Sequence, residues 1–146
     1  MRSNKKIYIA GKMSGLSYTN MMTWRARVVD KLKTLAERSG TNCQIINPAE
    51  FYNYHNNAHK TEREIMRFEL NHVRKSDVVI ANLKDVNQSI GTCIEVYEAF
   101  KNDIPIIAFG TSEEYETTHP WIKECISRYE ETMNAACLYI ADFYFW

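Results

Sequence analysis

The sequence predicts an α/β fold: a flavodoxin- or Rossmann-like parallel sheet of about five strands, ordered 2-1-3-4-5, with helices on both faces. Three observations carry that expectation. Strand-like apolar runs alternate with helix-length amphipathic stretches, the pattern of a parallel sheet wound by right-handed crossovers. Asp77-Val-Val-Ile-Ala-Asn-Leu83 is a β-branched apolar run of the length of a strand buried on both faces. Lys5-Lys-Ile-Tyr-Ile-Ala10 is closed by Gly11 and followed by the short loop Gly11-Lys-Met-Ser-Gly15, a βα connection.

Each element has its own local reason. After that loop a helix is expected from about Thr19 to Arg38, with Met21, Val28, Leu32 and Leu35 on one stripe and Gly40 as its stop. Cys43 to Ile46 is a second strand, halted by Asn47-Pro48. The segment Glu50 to Lys60 is crowded with Phe51, Tyr52, Tyr54, His55, Asn56, Asn57 and His59. It has neither period and no glycine, and reads as a loop or flap. A second helix runs from Thr61, with Glu64 completing a capping box, to Lys75. Asp77 to Leu83 is the third strand, Gly91 to Lys101 the third helix and Ile104 to Phe109 the fourth strand. In the tail, His119-Pro-Trp-Ile122 reads as a helical turn and Cys125 to Tyr129 as a short fifth strand. From Thr132 a last helix is expected, with a strand over Cys137 to Phe145 as the alternative on aromatic content. No repeat or low-complexity linker interrupts residues 1–146, so one domain is expected.

Composition narrows the function classes. A chain of 146 residues can bury a substantial core, and its formal net charge of zero offers neither a nucleic-acid track nor an attraction to anionic membranes. The apolar runs fall well short of the ~20 residues that span a bilayer. Basic residues at the start precede only four apolar ones before Gly11, so no signal peptide is expected. Cys43, Cys93, Cys125 and Cys137 form no Cys-x-x-Cys pair and read as reduced core thiols of a cytoplasmic protein.

The chemistry-bearing residues gather at the carboxyl edge of the expected sheet, where open α/β folds bind ligands. Ser89-Ile-Gly-Thr-Cys-Ile-Glu95 reads as a helix start. Ser89 and Thr92 serve as caps, Gly91 lets the backbone approach a ligand, and Glu95 is expected in the first turn. A first-turn acid also arises simply because the helix dipole favours negative charge. Tyr8 can present a phenol from the first strand. Lys12, Ser14 and the N–H groups of the loop after Gly11 could hold an anion, although the loop has neither G-x-G-x-x-G nor P-loop spacing, so an ordinary turn is the alternative. Glu69 shares a helix face with Ile65 and His72. It is either a site residue or a solvated charge.

Ser-x-Gly-Thr-x-x-Glu, followed by Tyr97, Ala99 and Ile104-Pro-Ile-Ile-Ala-Phe109, resembles the nucleoside 2-deoxyribosyltransferase family, which includes nucleoside 5′-monophosphate N-glycosidases. The resemblance runs from Lys6 to about Gly110. It implies that Tyr8 and Gly11 match the family's Tyr and Gly-containing loop. It also implies that Glu69, eight positions before Asp77, takes the place of an acidic residue that is usually Asp. Glu95 falls at the nucleophile, six positions after a residue that is Asp in the transferases and Ser in the monophosphate hydrolases, here Ser89, with Gly91 between. Two departures are Glu69 for Asp and Thr92-Cys93 for a loop that often carries a second Gly. A Gly-Thr-x-x-Glu is also used by lysine-decarboxylase-like phosphoribohydrolases.

The implied chemistry is cleavage of an N-glycosidic bond. A carboxylate at Glu95 attacks or stabilises the oxocarbenium-like C1′, Tyr8 hydrogen-bonds that carboxylate, and Glu69 or water protonates the leaving base. Ser89 in place of Asp removes a charge near O5′, so that Ser89, Lys12 and Ser14 favour a 5′-monophosphate. The expectation is an N-glycosidase of (deoxy)nucleoside 5′-monophosphates. The alternatives are a base-exchanging 2-deoxyribosyltransferase, a glycohydrolase acting on NAD or cytokinin-like monophosphates, and a non-catalytic nucleotide-sensing module. The substrate partner is a small nucleoside or nucleotide, with no cofactor and no metal. By resemblance the assembly is a homodimer or larger, with aromatics from Phe143 to Trp146 available to an interface.

Overall fold

A computed structural model of the chain describes residues 3–51 and 59–146. Strand β1 (Asn4–Ala10) is buried from Ile7 onward and lies between two neighbours. On one side it pairs in parallel with β2 (Asn42–Ile46), and on the other with β3 (Val78–Asn82). β3 continues to β4 (Ile106–Phe109) and β4 to β5 (Arg128–Glu130), all parallel, so the order is β2-β1-β3-β4-β5 as expected. The fourth strand starts two residues later than its apolar run. Pro105 has no N–H to give to a ladder, although its carbonyl still accepts from Val79.

The two-residue period of the strands sorts side chains onto two layers. Ile7, Ile9, Val78, Ile80, Ile107 and Phe109 pack against α1 (Tyr18–Ser39) and α6 (Met133–Tyr144). Tyr8, Ala10, Val79, Ala81, Ile106 and Ala108 face the opposite layer, built from α2 (Glu62–Arg74), α3 (Ile90–Lys101) and α5 (Pro120–Cys125). Helices therefore cover both faces. The tail resolves in favour of a helix: Thr132 caps α6 and Ala136, Cys137 and Ile140 are buried on one stripe. A short helix not expected from the pattern, α4 (Ser112–Thr117), is nucleated by a Thr111–Glu114 capping box. The fifth strand begins at Arg128, since residues from Pro120 to Cys125 are taken by α5.

The expectation that Glu95 lies in the first helical turn is corrected. Ser89 is the N-cap and Ile90 opens α3, so Glu95 is its sixth residue and belongs to the second turn. The helix dipole acts mainly on the first turn and does not explain an acid at this depth. The Tyr-, Asn- and His-rich segment expected as a loop or flap falls, at residues 52–58, outside the described residues; before it, Pro48–Phe51 forms a 3₁₀ turn. The four cysteines are free, two buried and two half-buried. Among the described residues no helix is long and apolar enough to cross a membrane.

Gly11, just past β1, has a packing reason to be glycine. A Cβ there would lie 2.5 Å from Trp24 Cζ2 and 2.7 Å from Cη2. The indole has little room to yield, because Phe109 packs edge-on at 5.9 Å and the Arg25 guanidinium sits 4.6 Å from its centroid. Gly11→Ala is expected to lower stability by about 1–3 kcal/mol through overpacking. In a Trp24→Leu background the same change should cost clearly less. Urea denaturation of the four proteins checks this, and equal costs in both backgrounds would refute the clash.

Candidate active site

Two elements meet at the core of the site. Tyr8, on the α2/α3 face of β1, is fully buried and its phenol donates a hydrogen bond to the Glu95 carboxyl on α3. Glu95 itself is only 4% exposed. Burial, and next the negative charge of Glu69, push its pKa up to about 8, against the opposing pull of the Tyr8 hydrogen bond and the Arg25 charge. Burial also drives the Tyr8 phenol upward, reinforced by Glu95 and Glu69, so Tyr8 is a donor at any ordinary pH.

Arg25 is the buried residue that sequence reasoning missed. It occupies the gap between Met21 and Val28 on the apolar stripe of α1 and is fully buried. Its guanidinium donates to the carbonyls of Ile9 (3.1 Å) and Gly11 (2.8 Å) and to Asn47 Oδ1 (3.1 Å). It thereby ties the carboxyl end of β1 to the turn after β2 and supplies the positive charge felt by Glu95 and Tyr8. The available signal was a cation placed at a core-facing helical position.

A cavity of about 670 Å³ opens beside Glu95, between the loop after β1, the outer turns of α2 and the start of α3. That volume lies within the ordinary range for small-molecule sites, about 300–1,000 Å³. Glu95, Glu69, Gly11, Ser14, Ser89 and Gly91 all line it. Ser89 Oγ accepts from the Thr92 N–H and shares a 2.6 Å hydrogen bond with Thr92 Oγ1. When Thr92 is the donor of that bond, the Ser89 proton is left to give to a ligand. Gly91 is exposed, and nothing lies within 4 Å of where its Cβ would be. Lys12 is not brought to this cavity. It lines a separate depression of about 240 Å³ with Asn20, Trp24, Asn82, Lys84 and Asp85, on the α1 side of the loop. Two cations the sequence reading did not single out, Arg63 and Arg67 of α2, line the main cavity instead.

Fold and site thus define a doubly wound α/β protein with a tyrosine-supported carboxyl at its ligand edge. The family described as nucleoside 2-deoxyribosyltransferase like matches residues 4–112, three quarters of the sequence, and the chain belongs to that family. It is thereby related to glycosyl-transferring enzymes whose small-molecule substrates are nucleosides. No curated protein matches the sequence significantly. Among solved structures, a conserved protein from Enterococcus faecalis V583 superposes with a TM-score of 0.73 at 15% identity, over 96% of this chain and 99% of that one. A 2-deoxyribosyltransferase from Bacillus psychrosaccharolyticus has a TM-score of 0.60 at 18% identity, covering 89% and 88%. One from Leishmania mexicana has a TM-score of 0.61 at 17% identity, covering 96% and 99%. At these identities the structures establish the shared fold.

The electrostatics predict a signature in pH. The folded Glu95 carboxyl titrates near 8, against an ordinary value of 4.5. Between those values the folded state holds a proton that the unfolded state has released. This contribution to stability is therefore full below about 4.5 and is lost as pH rises through about 8. Glu95→Gln cannot titrate, so its stability relative to wild type should increase with pH across that window, measured by thermal denaturation in a pH series. Removing the Glu69 charge with Glu69→Gln should move the same transition to lower pH; an unmoved transition would show that the two acids are uncoupled.

Proposed function

We propose that the chain is an N-glycosidase that cleaves the base–sugar bond of (deoxy)nucleoside 5′-monophosphates, with Glu95 as nucleophile. The observation that carries this reading is the buried Tyr8–Glu95 pair beside a cavity that Glu69 also lines. Such a pair suits attack on an anomeric carbon. The ionised Glu95 oxygen bonds to C1′ as the C1′–N bond breaks, and the base departs with that electron pair. Glu69, once it has taken up the proton that Glu95 gives up on ionising, or a water then supplies the proton the base needs. In the second half, water attacks C1′ and gives its proton to the Glu69 carboxylate or to solvent, the ester to Glu95 breaks, and the carboxylate is regenerated with release of the sugar phosphate. Tyr8 holds one rotamer of Glu95 throughout and Arg25 holds the strand end from which Tyr8 projects.

The phosphate preference is supported by Ser89 and Gly91 at the start of α3, where backbone N–H groups and the dipole favour an anion. Base exchange is the second reading, favoured by the family's description. It differs only in that a second base, rather than water, attacks C1′. We also propose a homo-oligomer. Ile90 and Ile94 at the cavity and Tyr97 further along α3 expose an apolar stripe that a second copy could cover. The free cysteines are in keeping with a reducing, cytoplasmic compartment.

Incubation with a panel of nucleosides and 5′-monophosphates, with and without an acceptor base, tests the proposal through the released base. Glu95→Ala should lose about a thousandfold or more in kcat while keeping its circular dichroism spectrum. Near-wild-type turnover in that variant would end the enzyme reading. Ser89→Asp keeps an N-cap, since Asp caps as well as Ser, but sets a carboxylate where the phosphate is placed. Its monophosphate-to-nucleoside ratio of kcat/KM should fall by at least about tenfold, some 1.4 kcal/mol of repulsion. A ratio that stays high would remove the phosphate from the start of α3.

A further inference from the structure

We infer that Arg63 and Arg67 are the specificity-determining residues of the cavity, a guanidinium pair that selects substrates carrying a phosphate dianion. This rests on the nucleotide reading above and names the side chains that make the choice.

Arg63 and Arg67 are the cations among the described residues that line the cavity. Four residues apart on α2, they share a helix face, which costs a few tenths of a kcal/mol for two like charges. Arg63 is also the second residue of α2, at the helix end where the dipole disfavours a cation. Of the two acids in this first turn, Glu64 is committed to the capping box, accepting from the Lys60 and Thr61 N–H groups, while Glu62 lines the same cavity and makes no salt bridge to either arginine. Among the described residues neither arginine has a salt bridge or hydrogen bond. Two like charges placed against local preference, and turned to a cavity, are the arrangement that an anionic ligand would relieve.

The levels of the site agree. Both α2 and α3 begin at the carboxyl edge of the sheet and descend from it, because each follows a parallel strand. Arg63 stands six residues before Glu69, and Ser89 six before Glu95, which is ~9 Å of helix in each case. The two acids therefore occupy the floor of the cavity, while Arg63 and the start of α3 occupy its mouth, with Arg67 one turn lower than Arg63. A nucleoside monophosphate whose C1′ reaches Glu95 would carry its phosphate up towards guanidinium groups on one wall and helix N–H groups on the other. Arginine forks match phosphate oxygens two at a time, which a neutral 5′-hydroxyl cannot exploit.

The test is the double variant R63A/R67A, with R63K/R67K beside it. Alanine is the better helix former, so α2 should persist, and circular dichroism checks that it does. Two readouts are taken: kcat/KM for a nucleoside and its 5′-monophosphate, and calorimetric binding of both compounds in the Glu95→Gln background. The monophosphate-to-nucleoside ratio should fall at least about tenfold in R63A/R67A, mostly through KM, with partial recovery in the lysine pair. Inorganic phosphate should compete with the monophosphate in wild type and lose that ability in the alanine variant. A folded R63A/R67A protein that keeps the wild-type ratio overturns the inference, and the nucleotide N-glycosidase reading then survives with its phosphate held elsewhere. If wild type releases no base from any compound, yet monophosphate binding is weakened in the alanine pair, the inference stands and the N-glycosidase reading falls. Monophosphate binding that is equal with and without the arginine pair, both measured in the Glu95→Gln background, overturns the inference whatever the turnover.

Discussion

The hydrogen bond from Tyr8 to Glu95 joins an inner strand of the sheet to α3, across 87 residues of chain. It demands that β1 be an inner strand, so that a phenol on its α2/α3 face is flanked on both sides by neighbouring strands. It demands equally that α3 lie flat on that face, with Val96 and Ala99 buried beside it. A carboxyl placed so deep would stay neutral without help. Tyr8 and Arg25 supply part of that help, one by donating directly and one by its charge. Glu69 works against them. The outcome is a group whose pKa, near 8, lies close to the operating range expected of a catalytic acid or base.

Arg25 shows how a structural and an electrostatic role can reside in one side chain. Its hydrogen bonds to Ile9, Gly11 and Asn47 close the ends of β1 and β2 together. The same guanidinium stacks on Trp24, whose ring in turn lies against Gly11. The geometry of the loop that borders the cavity is therefore set from below by α1, on the other side of the sheet from Glu95. The rim of the cavity is shaped here by packing in a layer that does not line it.

The α2 wall has a different character. Val73 near its carboxyl end is its one fully buried residue, while its outer turns lie half-open over the cavity. Arg74, bonded at 3.1 Å to Glu98, pins the far end of α2 to α3, and Lys101 completes that cluster. The two helices are thus fastened at one end and apart at the other. That splayed geometry leaves room for a ligand of nucleotide size while keeping Glu69 near enough to be felt electrostatically by Glu95.

Read alone, the sequence determined the alternation of strands and helices, the 2-1-3-4-5 order, the Thr61 capping box and the candidacy of Tyr8, Glu69 and Glu95. The alternation and the capping box follow from local periods and caps, whereas the strand order came with the doubly wound fold class and the resemblance to a family joined Tyr8, Glu69 and Glu95 into one site. Other features were decided by tertiary packing. Lys12, four residues past Tyr8, turns to the α1 side of its loop, whereas Arg63 and Arg67, from a helix read as one site acid and its neighbours, reach the cavity. Arg25 hides in an apolar stripe because its partners are backbone carbonyls that only the folded strand ends present. The depth of Glu95 and the elevation of its pKa depend on burial by three separate elements, a quantity that exists only once those elements have met.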